Sequence, residues 1–95
     1  MTLNERVRDK ILLFDGAMGT MLQAGIPPGS CPELLNLKER DLIKGVHARY
    51  LEAGCDIIET NTFGGNRIKM LAYDAGDLVQ RVNEEGAALA REVAK

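Results

Sequence analysis

The chain has 95 residues, 12 basic and 14 acidic side chains and a hydrophobic share of 45%, which describes at most one small globular domain and excludes a fibrous or extensively disordered chain. A net charge of −2 with acids and bases interspersed gives no basic stripe, so neither nucleic acid nor a membrane surface is an expected partner. Apolar runs stop at four residues, as in ILLF at 11–14, so no transmembrane helix or signal-peptide core is expected and the chain is placed in the cytoplasm.

In chain order, residues 4–9 are polar enough for one frayed helical turn, and residues 11–14 then read as a short strand buried on both faces, as in parallel sheets. A helical patch at 20–23 leads into GIPPGSCP at 25–32, which proline and glycine punctuate as a loop. From Glu39 the pattern turns helical, with Leu42, Ile43, Val46, Tyr50 and Ala53 inside an arc of about 100°. Gly54 stands where the stop of that helix needs a residue tolerant of positive φ. DIIET at 56–60 follows as a second strand. A short helix over about 66–73 with Asn66 as N-cap comes next, and DAGD at 74–77 breaks it. The final helix, about 77–94, places Leu78, Val79, Val82, Leu89, Ala90 and Val93 on an arc of about 120° around Gly86. Gly86 on that arc predicts close packing against a strand. Asp77 with Arg81, and Arg81 with Glu85, are four apart and predict surface ion pairs.

Strand, crossover helix and strand in that order define a right-handed βα unit. The fold class expected is therefore α/β, with about two βα units forming the N-terminal portion of a (β/α)8 barrel; a doubly wound open sheet is the structural alternative. Residues 1–95 are read as an N-terminal fragment of a longer enzyme.

Two polar, glycine-containing clusters, DGAMGT at 15–20 and ETNTFGG at 59–65, fall at the carboxyl ends of the predicted strands, where parallel α/β proteins place ligands. Asp15 offers a carboxylate to an amine, Gly16 lets a ligand approach backbone N–H groups that can hold a carboxylate, and the pair suits an amino acid. Thr60, Asn61 and Thr62 add neutral donors and acceptors. Asp-Gly after a strand is also an ordinary turn pair. The glycines match neither the dinucleotide fingerprint nor a phosphate loop. His47 lies about 40° beyond its helix's apolar arc and reads as a boundary histidine. Glu59 points into an interior or caps a strand end. Cys31 and Cys55 have no neighbouring histidine to activate them, and with His47 they supply no recognisable zinc cluster. No metal ligand and no catalytic residue are assigned.

The runs LFDGAMGTML at 13–22, PELLNL at 32–37 and HARYLEAGCDIIETNTFG at 47–64 resemble the opening of the homocysteine S-methyltransferase family, and within it the cobalamin-dependent branch. The resemblance runs from about Ile11 to the end. It implies a barrel that binds homocysteine at the carboxyl ends of its strands, with the thiol ligated to zinc. Asp15, Gly16 and Ala17 would hold the amino-acid end, and Thr60, Asn61 and Thr62 would line the site. The family's zinc-ligating cysteines lie further along the barrel, so the metal site falls outside this chain, and the fragment alone would be inactive. The thiolate formed on zinc attacks a methyl group to give methionine. The donor implied is methylcobalamin, recharged from methyltetrahydrofolate on other domains; relatives use betaine or S-methylmethionine. A non-catalytic small-molecule-binding α/β module, or a remnant, is the competing reading.

Overall fold

The computed structural model describes residues 2–22 and 29–94. Its order is α1 (Leu3–Asp9), α2 (Met18–Leu22), a 3-10 turn (Pro32–Leu34), α3 (Leu35–Lys38), α4 (Arg40–Glu52), α5 (Arg67–Leu71), a second 3-10 turn (Gly76–Leu78) and α6 (Val79–Ala94). The predicted loop at 25–32 and the end of the helical patch at 20–23 fall partly outside the described residues.

Local signals act as expected at the helix ends. Asn66 Oδ1 accepts the Lys69 N–H at 2.9 Å and caps α5. Thr2 Oγ1 likewise accepts from Glu5 N at 3.2 Å and starts α1. Each cap satisfies one of the orphan N–H groups that every helix start carries. Gly54, at φ 109°, lies just beyond α4, where a side chain would be strained.

The α/β class and the two βα units are corrected by the structure. Among the described residues the elements are helical, and the segments expected as strands meet in one isolated parallel bridge, Phe14 to Ile57. The two segments do run side by side: Asp15 N donates to Ile57 O at 3.0 Å, and the N–H groups of Asp56 and Ile57 both reach Leu13 O, at 2.9 and 3.1 Å. Pairing extends no further. A parallel pair has slanted, slightly weaker hydrogen bonds, and two strands alone are marginal in water. Their expected burial on both faces is overturned as well, since Ile11, Leu13 and Phe14 are all more than half exposed.

The core is instead built between helices. Leu22, Leu35, Ile43, Val46 and Leu89 form one buried cluster, drawn from α2, α3, α4 and α6, with Leu42 and Tyr50 packed against it. Met70, Ala75 and Val82 form a second, under α5 and α6. The apolar arc of α6 therefore buries as patterned, while Ala53, placed on the arc of α4, is exposed beyond the end of that helix. Glu85 pairs with Arg40 across the α4/α6 interface instead of with Arg81, and Lys44 meets Glu92 at 2.9 Å alongside it.

Gly86 does pack closely, but not against a strand. A Cβ there would lie 2.8 Å from both Asn36 Nδ2 and Thr62 Cγ2 and 3.3 Å from Asn61 O. Asn36, fully buried on α3, donates to Asn61 O at 2.8 Å and to Val82 O at 2.9 Å, and Asn61 Nδ2 returns a bond to Asn36 Oδ1 at 3.0 Å. This network ties the segment after Ile57 to α3 and α6. It is what positions the cleft.

Candidate functional site

The segment after Phe14, the start of the first 3-10 turn and the segment from Glu59 to Phe63 enclose a cleft of about 490 Å³. Asp15, Gly16, Ala17, Thr60, Asn61 and Thr62 all line it. The bridge between Phe14 and Ile57 brings the two runs together, since each begins one or two residues after its bridging residue. A second cavity, about 570 Å³, lies against α1 and the apolar residues Ile11, Leu12, Phe14 and Ile57. Its charged residues Arg8, Asp9 and Lys10 are consecutive on one short segment, whereas the polar groups of the first cleft converge from two separate runs, which makes the first cleft the candidate site.

Asp15 is held at one oxygen: Oδ2 accepts the Glu59 N–H at 3.1 Å, while Oδ1 is buried without a hydrogen-bond partner. Gly16 faces Tyr50, whose hydroxyl would stand 2.8 Å from any Cβ there and donates to Ala17 O at 2.9 Å. A side chain at position 16 would thus displace the ring that supports the segment. Thr60 and Thr62 share a hydrogen bond between their hydroxyls at 2.6 Å, which leaves the pair one hydrogen to offer a ligand. Asn61 lines the cleft with a side chain that is also tied to the scaffold. Its amide donates to Pro32 O at 2.9 Å and to Asn36 Oδ1, so both donor hydrogens are committed to the scaffold.

Glu33 was not singled out in the sequence. It lies in the PELLNL run, is almost fully buried, and lines the cleft. One oxygen accepts the Gly64 N–H at 3.2 Å and the other the Cys31 thiol at 3.5 Å. Gly64 makes room for it, because a Cβ there would meet Glu33 Oε1 at 2.7 Å. The signal was a glycine pair following a polar run, whose partner across 31 residues no local pattern reveals. Asp15, Glu33 and Glu59 give the cleft three carboxylates, and no Lys, Arg or His is among its lining residues. Such a cleft favours a cationic group.

His47 is corrected from a boundary residue to a fully buried one. Desolvation pushes its pKa below the ordinary value, and the charge of Asp15 partly opposes that shift. Cys31 is buried and its thiol pKa is raised, chiefly by desolvation; Cys55 is half-buried, its thiol 3.6 Å from Phe14 O. The two thiols bond to different partners, and among the described residues no three His, Cys, Asp or Glu side chains cluster as a metal site would require. These residues do not fit a zinc centre.

The Homocysteine S-methyltransferase family model matches residues 12–95. The chain is 38% identical over 97% of its length to a methionine synthase of Mycobacterium leprae (strain TN), and 39% identical over 90% to that of Mycobacterium tuberculosis (strain ATCC 25618 / H37Rv). It spans about 8% of the length of each. The chain belongs to the homocysteine S-methyltransferase family.

Proposed function

We propose that these residues form the amino-acid-binding part of a homocysteine site in a longer methyltransferase that makes methionine. The observation that carries this reading is the acidic cleft itself, in which Asp15, Gly16 and Ala17 meet Thr60 and Thr62. The Asp15 carboxylate is the acceptor for the substrate ammonium. The backbone N–H groups of Gly16 and Ala17 are the donors for its carboxylate, as in other backbone anion sites. The Thr60–Thr62 pair orients the substrate with its remaining hydroxyl hydrogen.

Activation of the thiol and supply of the methyl group belong, in this reading, to other parts of the longer protein. Zinc and cobalamin would be held there, because Cys31, Cys55 and His47 do not form a metal site. The family match over residues 12–95 favours this reading over a non-catalytic module or a remnant. No helix among the described residues is long and apolar enough to cross a membrane, and the free thiols of Cys31 and Cys55 fit a reducing cytoplasm.

The test is Asp15→Asn in the longer protein, which removes the charge and keeps the shape. Homocysteine binding measured by calorimetry should weaken by about 1–3 kcal/mol through loss of a charge-assisted hydrogen bond. Unaltered affinity would remove Asp15 from the site.

A further inference from the structure

Three buried side-chain atoms among the described residues have no hydrogen-bond partner, and they belong to two residues: Asp15 Oδ1, and Nδ1 and Nε2 of His47. Native proteins leave few such groups, and each calls for a physical explanation. The helix α4 brings the two together. His47 precedes Tyr50 by three positions and so shares its face, and Tyr50 is the residue that bonds Ala17 O and abuts Gly16. The Asp15 charge opposes the desolvation that lowers the imidazole pKa, which places the carboxylate on the same side of α4 as the ring.

We propose that His47 is a positioning residue for Asp15, its neutral imidazole directing an N–H to Oδ1 and so aiming the carboxylate at the ligand's ammonium group. The proposal rests on the reading that Asp15 binds that ammonium. Glu59 N already holds Oδ2 at 3.1 Å, so a donor at Oδ1 would fix both oxygens and with them the plane of the carboxylate. Oδ2, which accepts one bond from Glu59 N, keeps a second lone pair for the ligand. The choice of residue follows from charge. A lysine or arginine here would neutralise Asp15 and compete with the ammonium, whereas a buried imidazole that stays neutral donates a hydrogen bond and leaves the negative charge intact.

The experiment compares homocysteine with 4-mercaptobutyrate, which keeps the thiol and the carboxylate but lacks the amino group, in equilibrium binding to the longer protein and to its variants. For His47→Leu, the homocysteine Kd should rise about tenfold while that of the analogue stays within about twofold. His47→Gln retains an N–H donor and should restore homocysteine affinity to within about threefold of the parent. Equal losses for both ligands would make His47 a packing residue and overturn the proposal, as would no loss for either. Asp15→Asn run alongside separates the two claims: if it too fails to discriminate between the ligands, the reading of the site falls, and if it alone discriminates, only His47 is removed. Should His47→Leu not fold, the imidazole nitrogens are followed by NMR. One neutral tautomer, with an N–H resonance that moves on Asp15→Asn, is expected; an unmoved resonance overturns the contact.

Discussion

The helical part of the molecule and its bridged edge are held by different means. In α3, α4 and α6 the apolar arcs meet one another, and Ile43 and Leu89 reach zero exposure. Along residues 11–14 the side chains are just as apolar, yet Ile11 is 86% exposed and Phe14 59%. A helix satisfies its backbone internally and needs only one neighbour for its stripe, whereas a strand needs partners at its edges and cover on its faces. The edge here has one paired residue on each side, clasped by Lys10, Asp56 and the Leu13 N–H at 2.9 and 3.0 Å. Stability and the candidate site thus lie on opposite sides of a division: helices supply the former, and the bridge sets the latter's two polar runs side by side.

The sharpest way to break that comparison is to truncate one apolar residue on each side. Leu89→Ala should destabilise the chain by about 3 kcal/mol, from lost burial and the cavity left behind. Ile11→Ala should stay within about 0.5 kcal/mol, because its side chain is already in water. Urea midpoints at constant m-value measure both, and similar losses would mean that the edge is covered after all.

Asn36→Ala tests what joins the two parts. The substitution takes a donor from Asn61 O and Val82 O and an acceptor from the Asn61 amide, all in a buried setting. A loss of about 2 kcal/mol is expected. Hydrogen exchange should quicken at Gly64 N and Gly65 N together with α6. An effect confined to α3 would separate the cleft from the helices.

These particulars show what could be read along the chain and what could not. The Asn66 cap, the stop at Gly54 and the arc of α6 were legible because each depends on residues within a turn or two. The nearness of Asp15 to Thr60 was legible for another reason: it follows from parallel pairing of the two apolar runs, and one bridge suffices to produce it. Strand formation itself was not, since it depends on neighbours for which the pattern of residues 11–14 carries no information. Glu33 and Asn36 were missed because their burial rests on missing side chains elsewhere, at Gly64 and Gly86. His47 was misplaced because burial of a helix flank depends on chain distant in sequence: α4 meets the Gly16–Ala17 segment through Tyr50, three positions on, and no pattern within α4 reveals that contact.

Gly86→Ala sharpens the same point with a smaller effect whose sign is the test. On an exposed helix face the exchange would stabilise by roughly 1 kcal/mol through propensity. At Gly86 the new methyl would meet Asn36 Nδ2 and Thr62 Cγ2 at 2.8 Å. Asn36 is pinned by its network and Thr62 by its bond to Thr60, so neither yields freely. A net loss of about 1 kcal/mol is expected from overpacking. A gain would show that the junction relaxes.

The smallest effect, and the one that resolves the two regions in a single titration, is the pH dependence of stability. His47, in the helical part, has its pKa lowered in the fold by desolvation. Between that lowered value and the ordinary value of about 6.5 the unfolded chain binds more protons than the folded one, so stability falls on acidification through this window and His47 adds no further slope below it. Asp56, at the edge, has its pKa lowered by the Lys10 ammonium and by the Leu13 N–H. Its contribution is fully present above the ordinary carboxylate value of about 3.9 and is lost as pH falls through the lowered value. The slopes share a sign but occupy separate windows. Urea midpoints from pH 7 downward should therefore show two declines, the first flattened in His47→Gln and the second in Asp56→Asn. The Asp56 component should shrink with added salt, because Lys10 is exposed and the pair is screened. The His47 component should not, because its cause is burial. If salt moved both alike, the imidazole would be in contact with solvent and the division between a buried helical part and an exposed edge would fail at that residue.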